Sequence, residues 1–429
     1  MKRLFSILAF AAALTACEGN LVIDPIDITT PDPSETLTKV TLTAEQQGYM
    51  NAGNSFAFNC LSELYNGQTV IFSPLSLQLA LAMTVNGATG ETAAEITKAL
   101  GYGTDIKALN TYCNLLLNQL PALDKNVQLK LTDAMVVLED FPLQQEFAKV
   151  LKETYYAPVE YINPANKQEI VARINDWASR STNGFIKKFL SDSDITDDFV
   201  AAIMNALYFK AKWSEGEGGP MFLEELTRKN QDFYPDNNGA KQKVDMMRTS
   251  QHFPYAKRNG YSVVSIPYSN GSFAMYLLLP NNKGKAGAAD LVKQLKGEKW
   301  NDITASLQDG YIVHLQMPKF ESECKFGLVD AMQALGIKRA FVGGAAQFDA
   351  MFDVTGWDFF ISNIIQKARI SVAEWGTEAA AVTAVIMDKA TSVGPGQIKE
   401  VDFIADHPFV YVIAEKSSGA ILFEGVYSR

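Results

Sequence analysis

The sequence predicts an α+β fold built around antiparallel or mixed β-sheets. Helical patterns dominate the first part of the 429-residue chain, and β-rich runs, many of them adjacent, dominate the rest. The composition is 47% hydrophobic and 20% charged, which supplies a large core and gives no sign of disorder. Because no repeat or internal boundary interrupts residues 43–429, we expect them to form one domain.

Residues 1–16 are typical of an export signal. The basic start MKR is followed by an apolar run at residues 4–14, which is too short for a membrane span. The letters LTAC at residues 14–17 resemble the lipobox of bacterial lipoproteins, in which the cysteine, here Cys17, is lipidated and becomes the first mature residue. The alternative is an ordinary signal peptide followed by a cysteine with no role in anchoring.

Residues 17–42 are predicted to form a lipidated tether. They are rich in Pro, Asp and Thr and show neither a helical nor an alternating pattern. Acyl chains on Cys17 would contribute ~0.8 kcal/mol per buried methylene, so two or three chains hold a protein stably on a membrane. We therefore expect an exported, membrane-anchored lipoprotein at the outer membrane or cell surface of a Gram-negative bacterium.

The net charge argues against a nucleic-acid partner, and the cysteine spacing argues against a metal site and a disulfide framework. Removing residues 1–16 would take away two basic residues and no acidic one, which changes the formal charge from −10 to −12. So acidic a chain is a poor match for nucleic acid. Beyond Cys17, the three cysteines Cys60, Cys113 and Cys324 lie at long spacings that give no metal motif and allow at most one bridge, so we expect buried free thiols.

Local signals predict several elements. Thr43 and Gln46 form a capping-box pattern ahead of a helix to about residue 65, and Ser73 with Pro74 predicts the start of a central, apolar helix that ends at residues 86–87. Further helices are predicted at residues 91–100, ending at Gly101, and at residues 170–180 and 327–335. Strands are predicted at residues 128–137, 202–209, 261–266, 273–279, 311–317, 369–373, 409–415 and 420–426.

The sequence contains none of the common catalytic motifs in a complete form. The three histidines, His252, His314 and His407, are far apart and none belongs to an H-E-x-x-H pair, and no G-x-S-x-G elbow occurs. One S-x-x-K match runs from Ser322 to Lys325, but no K-T-G accompanies it. His407 precedes an apolar strand and is interpreted as a turn residue. The sequence therefore predicts a protein that is not an enzyme and needs neither a metal nor a small-molecule cofactor.

The segment EWGTEAAAVTAVIMDKATSVG, residues 374–394, fits a helix, a strand or an exposed loop about equally well. Its first part resembles the hinge of inhibitory serpins, protease inhibitors whose exposed loop is cleaved and then inserts into their own central sheet. Other family motifs follow in order: FSPLSLQLAL at 72–81, IMNALYFKAKW at 203–213, VDMMR at 244–248, MPKF at 317–320 and the closing run ADHPFVYVIAEKSSGAILFEGVYSR.

The resemblance implies the serpin fold: a large central mixed β-sheet, further sheets, about eight to nine helices and an exposed reactive loop at about residues 374–396. The hinge comprises Gly376, Thr377, Glu378, Ala379, Ala380, Ala381, Val382 and Thr383. A segment that must slip between packed strands needs small side chains at its leading end, and the alanines meet that need. In strand geometry Thr377 shares a face with alternate residues of the hinge, and we expect this face to turn inward while Glu378 points to solvent.

The resemblance also places the reactive bond. In the family it usually follows the fifteenth residue counted from the hinge glycine, which here is Ala390, so cleavage falls between Ala390 and Thr391. A small residue at this position suits elastase-like proteases. Lys389 would suit a trypsin-like protease if the loop is cut one residue earlier, and Met387 is a third option.

The family assigns roles to residues outside the loop as well. Ser73, Ser76 and Asn205 fall in the shutter, where the central sheet must part, and Trp213 falls in the breach, where the loop first enters; all four also suit ordinary caps and core packing. Gln366 stands where many members have a shutter histidine, which removes a pH-sensitive group.

Three residues around the loop complete this set. Glu374 and Lys319 match an ion pair at the base of the loop, which would contribute ~0.2–1 kcal/mol if partly exposed. Trp375, just before the hinge glycine, is unusual there: packed on the body it would restrain the hinge, and exposed it would favour early insertion.

The function implied is inhibition of serine, or alternatively cysteine, endopeptidases by trapping them as covalent acyl complexes. We expect a monomer whose partners are the target endopeptidase and, through Cys17, a membrane. The alternative is a serpin-fold binding protein or protease substrate that does not inhibit. That alternative predicts charged or bulky residues or proline in the hinge, and residues 376–383 contain no proline and no bulky side chain.

Overall fold

The computed structural model describes residues 39–163, 167–195, 199–216, 219–236, 238–377 and 399–429. Within these residues the chain forms nine α-helices: α1 Ala44–Leu64, α2 Pro74–Val85, α3 Gly90–Leu100, α4 Ile106–Gln119, α5 Gln145–Thr154, α6 Lys167–Ser181, α7 Gly284–Leu295, α8 Trp300–Ala305 and α9 Val329–Ala334. No helix in these ranges is both long enough and apolar enough to cross a membrane.

The predicted ends of the first three helices are confirmed. Thr43 Oγ1 accepts a hydrogen bond from the Gln46 backbone N–H at 3.2 Å, and Gln46 Oε1 accepts one from the Thr43 N–H at 3.0 Å. Pro74 is the first residue of α2, whose N-cap is Ser73. Helix α3 ends at Gly101, whose φ of 68° is accessible to glycine at little cost. These ends depend on local contacts, which is why the sequence could predict them.

The described residues also form eighteen strands. They are β1 Val70–Phe72, β2 Gln128–Leu138, β3 Val159–Ile162, β4 Ala201–Lys212, β5 Glu215–Gly216, β6 Gly219–Pro220, β7 Arg228–Phe233, β8 Gln242–His252, β9 Tyr255–Lys257, β10 Tyr261–Tyr268, β11 Phe273–Pro280, β12 Tyr311–Pro318, β13 Phe320–Gly327, β14 Ile365–Ala373, β15 Gly376–Thr377, β16 Lys399–Ile404, β17 Phe409–Glu415 and β18 Ile421–Tyr427. All eight predicted strands are present, most of them a little longer than predicted.

One six-stranded sheet, hereafter the central sheet, has the order β13-β14-β15-β4-β2-β3. The pairing of β2 with β3 is parallel and the other pairings are antiparallel, so the sheet is mixed, as predicted. The two-residue strand β15 alone lies between β14 and β4 among the described residues. Among the described residues, β15 therefore joins only the C-terminal ends of β14 and β4.

Two further large sheets and the two-stranded sheet β5-β6 complete the described body. A second six-stranded sheet, in the order β1-β18-β17-β11-β10-β9, contains β17 and β18, all of whose residues are buried. Helix α2 is buried at every position but one and packs against both β4 and β18. The third sheet, in the order β16-β12-β8-β7, includes a parallel pairing of β12 with β16. Helices and sheets of this arrangement confirm the predicted α+β class.

The three cysteines of the described body are free thiols. Cys60 and Cys113 are buried, and Cys324 is partly exposed. Burial raises the pKa of the Cys60 thiol well above its usual value and that of Cys113 to about 12. Both buried thiols therefore stay protonated and behave as small apolar side chains.

Candidate functional site

The first two hinge residues form strand β15 inside the central sheet. Thr377 pairs with Val372 of β14 on one side and with Ala211 of β4 on the other, in both cases antiparallel. Thr377 is only 3% exposed, so its side chain faces inward as predicted. The hinge thus begins as the missing strand between β14 and β4.

Gly376 is required at its position by both conformation and space. Its φ is 150°, a value that residues with a Cβ rarely adopt. A Cβ at this position would lie 2.1 Å from the carbonyl oxygen of Ala211, which is part of the sheet backbone and cannot move aside. A glycine here lets the chain turn from β14 into the space beside β4.

A buried aromatic cluster surrounds the start of the hinge. The hydroxyl groups of Tyr268 and Thr377 are 2.5 Å apart and both residues are buried. The Trp213 ring stacks on Tyr268 with 4.5 Å between centroids, and its Nε1–H donates to the Ala373 carbonyl at 2.9 Å. Burial raises the pKa of Tyr268 far above its usual value, so the phenol stays neutral. The predicted breach residue Trp213 therefore contacts both the end of β14 and the partner of Thr377.

The base of the loop is fixed by polar contacts. Lys319 Nζ donates to Glu374 Oε2 at 2.9 Å, and Thr227 Oγ1 donates to Glu374 Oε1 at 2.8 Å. Partial burial opposes ionisation of Glu374, but these hydrogen bonds prevail and lower its pKa. Trp375 is half-buried, and its carbonyl accepts a hydrogen bond from the Trp213 N–H at 3.2 Å. Trp375 is thus neither fully packed nor fully exposed.

The N-terminus of α2 contacts both strands that border the gap. On β14, Gln366 Oε1 accepts from the Ser73 N–H at 3.0 Å and Gln366 Nε2 donates to the Ser73 carbonyl at 2.9 Å. On β4, Asn205 Oδ1 accepts from the Ser76 hydroxyl. The glutamine thus makes both a donor and an acceptor contact at the position where the resemblance suggests a histidine.

The polar network continues to a buried carboxyl group on β2. Asn205 Nδ2 donates to Asp133 Oδ1 at 2.5 Å, while Asp133 Oδ2 is buried and has no hydrogen-bond partner among the described residues. Burial raises the pKa of Asp133 to about 7, although the hydrogen bond from Asn205 opposes this shift. The other titratable groups that interact with this carboxyl are the Cys113 thiol and the Tyr155 phenol, both buried and neutral.

Two adjoining cavities occupy the gap between β4 and β14 beyond Thr377. The first is lined by Leu207 and Phe209 on β4 and by Ile370 and Ser371 on β14. The second is lined by the shutter residues Ser73, Ser76, Asn205 and Gln366 together with residues of α6. The two cavities share the lining residues Ile186, Leu207 and Phe423, so they adjoin each other between Thr377 and the shutter residues.

Part of the predicted site lies outside the described residues. This part comprises Glu378, Ala379, Ala380, Ala381, Val382, Thr383, Met387, Lys389, Ala390, Thr391 and the lipidation candidate Cys17.

Asp133, Tyr268 and Thr227 belong to the site but were not predicted from the sequence. The only signal for Asp133 was a lone acid inside an apolar strand run, and the other two depend on contacts between residues more than 100 positions apart.

The alternative catalytic residues are not brought together. Ser322 and Lys325 lie three positions apart on strand β13, so their side chains point to opposite faces, and Lys325 Nζ instead donates to Asp194 Oδ2 at 2.6 Å. His407 is buried between Asp406 and the Pro280 carbonyl. Within the described ranges, no group of three or more His, Cys, Asp and Glu side chains could hold a metal ion.

Comparisons with known proteins agree on one family. The family model described as Serpin (serine protease inhibitor) matches residues 51–429. An uncharacterized serpin-like protein of Thermococcus kodakarensis is 33% identical over 386 residues, which cover 89% of this chain and 85% of the relative.

Solved structures agree in fold. A cleaved serpin 42Da is 28% identical, with a TM-score of 0.78. The match covers 90% of this chain and 99% of the chain of that structure. The thermophilic serpin tengpin in the native state is 25% identical, with a TM-score of 0.78. The match covers 91% of this chain and 96% of the tengpin chain. This chain therefore resembles a cleaved and a native serpin to the same degree.

The buried Asp133 carboxyl predicts a pH-dependent stability. Its folded pKa of about 7 exceeds its usual value of 3.8, so the folded protein binds the proton more tightly than the unfolded chain. The resulting stabilisation is complete below the unfolded pKa and is lost as the pH rises through the folded pKa. Asp133→Asn keeps the shape of the side chain without its charge. As the pH rises from about 5 to about 8, we expect the free energy of unfolding of the wild type to fall by on the order of 2 kcal/mol relative to that of Asp133→Asn.

This prediction is checked by urea or thermal unfolding of both proteins across that pH range. Glu424, the other fully buried acid with raised pKa and no partner among the described residues, is present in both proteins, so the difference between them isolates Asp133. A stability difference that does not change with pH would contradict the prediction.

Proposed function

Because the chain belongs to the serpin family, we propose that it inhibits serine endopeptidases by trapping them as covalent acyl complexes. The observation that carries this proposal is the placement of Gly376 and Thr377 as a short strand between β14 and β4, with two small adjoining cavities beyond Thr377. A loop that starts in this position can continue into the sheet once it is cut. Cysteine endopeptidases, which also form acyl intermediates, are a second target class.

The energy of insertion is large enough to disable a protease. About fifteen residues inserted as a middle strand would gain on the order of fifteen ladder hydrogen bonds at a net ~0.5–1.5 kcal/mol each, or roughly 10–20 kcal/mol. At ~3.3 Å per residue the same segment spans ~50 Å, about the length of the domain. The uncut protein is therefore proposed to be kinetically trapped above its free-energy minimum.

The chemistry requires nothing from this chain but a cleavable peptide bond and fast insertion. The protease serine attacks the carbonyl carbon of Ala390, the C–N bond to Thr391 breaks, the Thr391 amine leaves with the proton delivered by the protease histidine, and Ala390 remains as an ester on the serine. Insertion then pulls the bound protease along the sheet. A protease whose Ser-His geometry and oxyanion hole are distorted cannot activate water to hydrolyse the ester.

The targets proposed are elastase-like proteases, which accept Ala390, and alternatively trypsin-like proteases, which would cut after Lys389. Purified protein is incubated with pancreatic elastase or with trypsin, and the products are separated on denaturing gels and weighed by intact mass spectrometry. We expect a complex that survives denaturation and a released fragment that begins at Thr391. A fragment that begins at Ala390 moves the reactive bond to Lys389.

If both proteases cut the loop and keep their full activity, the chain is a serpin-fold substrate or binding protein and the proposal is wrong.

The hinge offers a second test, because Thr377 is buried against Tyr268. Thr377→Arg would bury an unpaired guanidinium at a cost of several kcal/mol, and each ~1.4 kcal/mol added to the insertion barrier slows insertion about tenfold. Hydrolysis of the acyl-enzyme is then faster than insertion. We therefore expect the protease to cut the loop at the wild-type rate, and the fraction of protease trapped to be at least tenfold smaller. The ratio of inhibitor consumed to protease inactivated measures this partition.

Thr377→Ser is the matched control, because it keeps the hydroxyl group beside Tyr268 and should trap as the wild type does. Equal trapping by the arginine and serine variants would show that a small buried side chain at position 377 is not required for trapping, which contradicts the prediction.

The site of action is proposed from the sequence alone. Lipidation of Cys17 would hold the inhibitor, as a monomer, on the outer membrane or cell surface, where it meets proteases outside the cell. We expect Cys17→Ser to abolish incorporation of radiolabelled palmitate and to move the protein from the membrane fraction to the soluble fraction. Unchanged labelling of this variant would rule out Cys17 as the lipidated residue.

A further inference from the structure

The two described ends of the reactive loop lie at opposite ends of one strand of the third sheet. At the first end, Lys319, which directly follows β12, donates through Nζ to Glu374 Oε2 at 2.9 Å. At the second end, Lys399 begins β16 and pairs with Tyr311, the first residue of β12. The eight residues of β12 span ~25 Å at ~3.3 Å per residue. The loop therefore bridges the length of β12, and a protease that binds the loop faces the surfaces at the rim of this sheet.

A short turn beside the first of these ends presents two leucine side chains. The turn is a 3₁₀ helix at Glu224–Leu226, in which the Leu226 N–H donates to the Leu223 carbonyl at 3.0 Å. Residues three positions apart in a 3₁₀ helix lie on the same side of it. Leu223 and Leu226 therefore stand next to each other, and they are 37% and 48% exposed. We call residues 223–226 the leucine turn.

The leucine turn is anchored on both sides. The two residues before it, Met221 and Phe222, are buried, and the Phe222 ring lies 5.8 Å from that of Trp213 between centroids. The residue after it, Thr227, donates through Oγ1 to Glu374 Oε1 at 2.8 Å. The turn also packs against β8 of the third sheet. A fixed backbone therefore holds the two leucines in solvent, directly beside the base of the loop.

The surroundings of the leucine turn are acidic. Glu224 and Glu225, which lie between the two leucines in the sequence, are exposed, and residues 214–226 contain four glutamates and no lysine or arginine. The first basic residues that follow, Arg228 and Lys229, belong to β7. An exposed apolar pair beside acidic side chains fits a partner that presents apolar and basic side chains.

We propose that the leucine turn is a second contact surface for the target endopeptidase in its first, reversible complex with the uncut protein. This inference rests on the proposed function and adds a determinant of target choice outside the reactive loop. The occupant follows from position, because a protease that holds the loop lies beside the loop's base at Glu374, which contacts the residue next to Leu226. A protease with an apolar and basic rim beside its catalytic cleft is then bound faster and more tightly than one without such a rim.

The first experiment measures binding without chemistry. The protease is pancreatic elastase or trypsin, whichever the wild type traps, with its catalytic serine replaced by alanine so that no acyl-enzyme forms. We expect the double variant Leu223→Ala, Leu226→Ala to bind this inactive protease at least about fivefold more weakly than the wild type. Equal affinity of the two proteins would overturn the inference.

The same double variant is then mixed with the active protease. We expect a several-fold slower association, because the leucines contact the protease before the loop is cut. The ratio of inhibitor consumed to protease inactivated and the thermal stability of the free protein should both equal those of the wild type. An increased ratio at an unchanged association rate would show that the leucine turn acts on insertion, and the inference would be wrong.

Val342→Ala is the matched control, because Val342 is 49% exposed and lies far from the loop's base. The Ile361 N–H, ahead of β14, donates to the carbonyl of Ala340, two residues before Val342, at 2.7 Å. This places Val342 at the opposite end of β14 from Glu374. The Val342→Ala protein should bind the inactive protease as the wild type does.

Thiol labelling identifies what covers the leucine turn. The Leu226→Cys protein is treated with a maleimide, alone and with saturating inactive protease, and peptide mapping separates the new thiol from the other cysteines. We expect rapid labelling of the free protein and at least about a tenfold slower reaction in the complex. The Val342→Cys thiol should react equally fast in both states.

Three labelling results would overturn the inference. Equal labelling at position 226 in the free and bound protein would show that the protease does not cover the turn. Slow labelling of the free protein at every concentration would show that the uncut chain itself covers it, and slowing that increases with protein concentration would mark a contact between two copies. Failure of the wild type to trap either elastase or trypsin would overturn the proposed function together with the inference, whereas trapping without protection at position 226 overturns the inference alone.

Discussion

A β-sheet can accept a new internal strand only where two neighbouring strands are held apart, and among the described residues of the central sheet that place is the gap between β4 and β14. Everything described at the site bears on this gap. Gly376 turns the chain into it, Thr377 occupies its first position, and the breach aromatics fill the space behind. The N-terminus of α2 contacts both bordering strands, through Ser73 to one and Ser76 to the other. A single helix end therefore couples the two edges of the gap, which would have to separate if the loop inserts as proposed.

The polar groups at the shutter lower the stability of the closed sheet relative to an apolar core, which would favour separation of β4 from β14. Apolar residues of similar size at Asp133, Asn205 and Gln366 would pack the sheet more tightly, since buried polar groups contribute little net stability and are costly when unpaired. Asp133 retains one unpartnered oxygen, and its carboxyl group ionises near neutral pH. The resemblance suggested that replacing a histidine by Gln366 removes pH sensitivity from this region. The structure places another titratable group, Asp133, four hydrogen bonds from Gln366, so sensitivity to pH returns through a residue that the sequence did not single out.

The sequence predicted what local interactions determine and missed what distant contacts determine. The capping box at Thr43, the Ser73-Pro74 helix start and the apolar strands β17 and β18 were visible because their signals lie within a few residues. Strand β13 was missed because its alternation of buried and charged residues was interpreted only as a possible S-x-x-K motif, and β16 because its six residues are mostly polar. The hinge glycine was found by resemblance, but its contact with the Ala211 carbonyl and the pairing of Thr377 with Tyr268 join segments far apart in the chain. No pattern in one sequence reports such contacts.

The parallel pairing of β16 with β12 has a consequence for how long the uncut protein keeps its form. Strand β16 begins where the loop ends, and six of its residues pair with β12 while Phe403 is buried beneath the sheet. An uncut loop has both ends attached, so it can enter the gap fully only if β16 first peels away from β12 and exposes Phe403 to water. If the loop inserts as proposed, cleavage would remove that requirement, because the inserting segment would no longer be joined to β16. The strength of the β12–β16 pairing would then set how long the uncut form persists, without slowing insertion after cleavage.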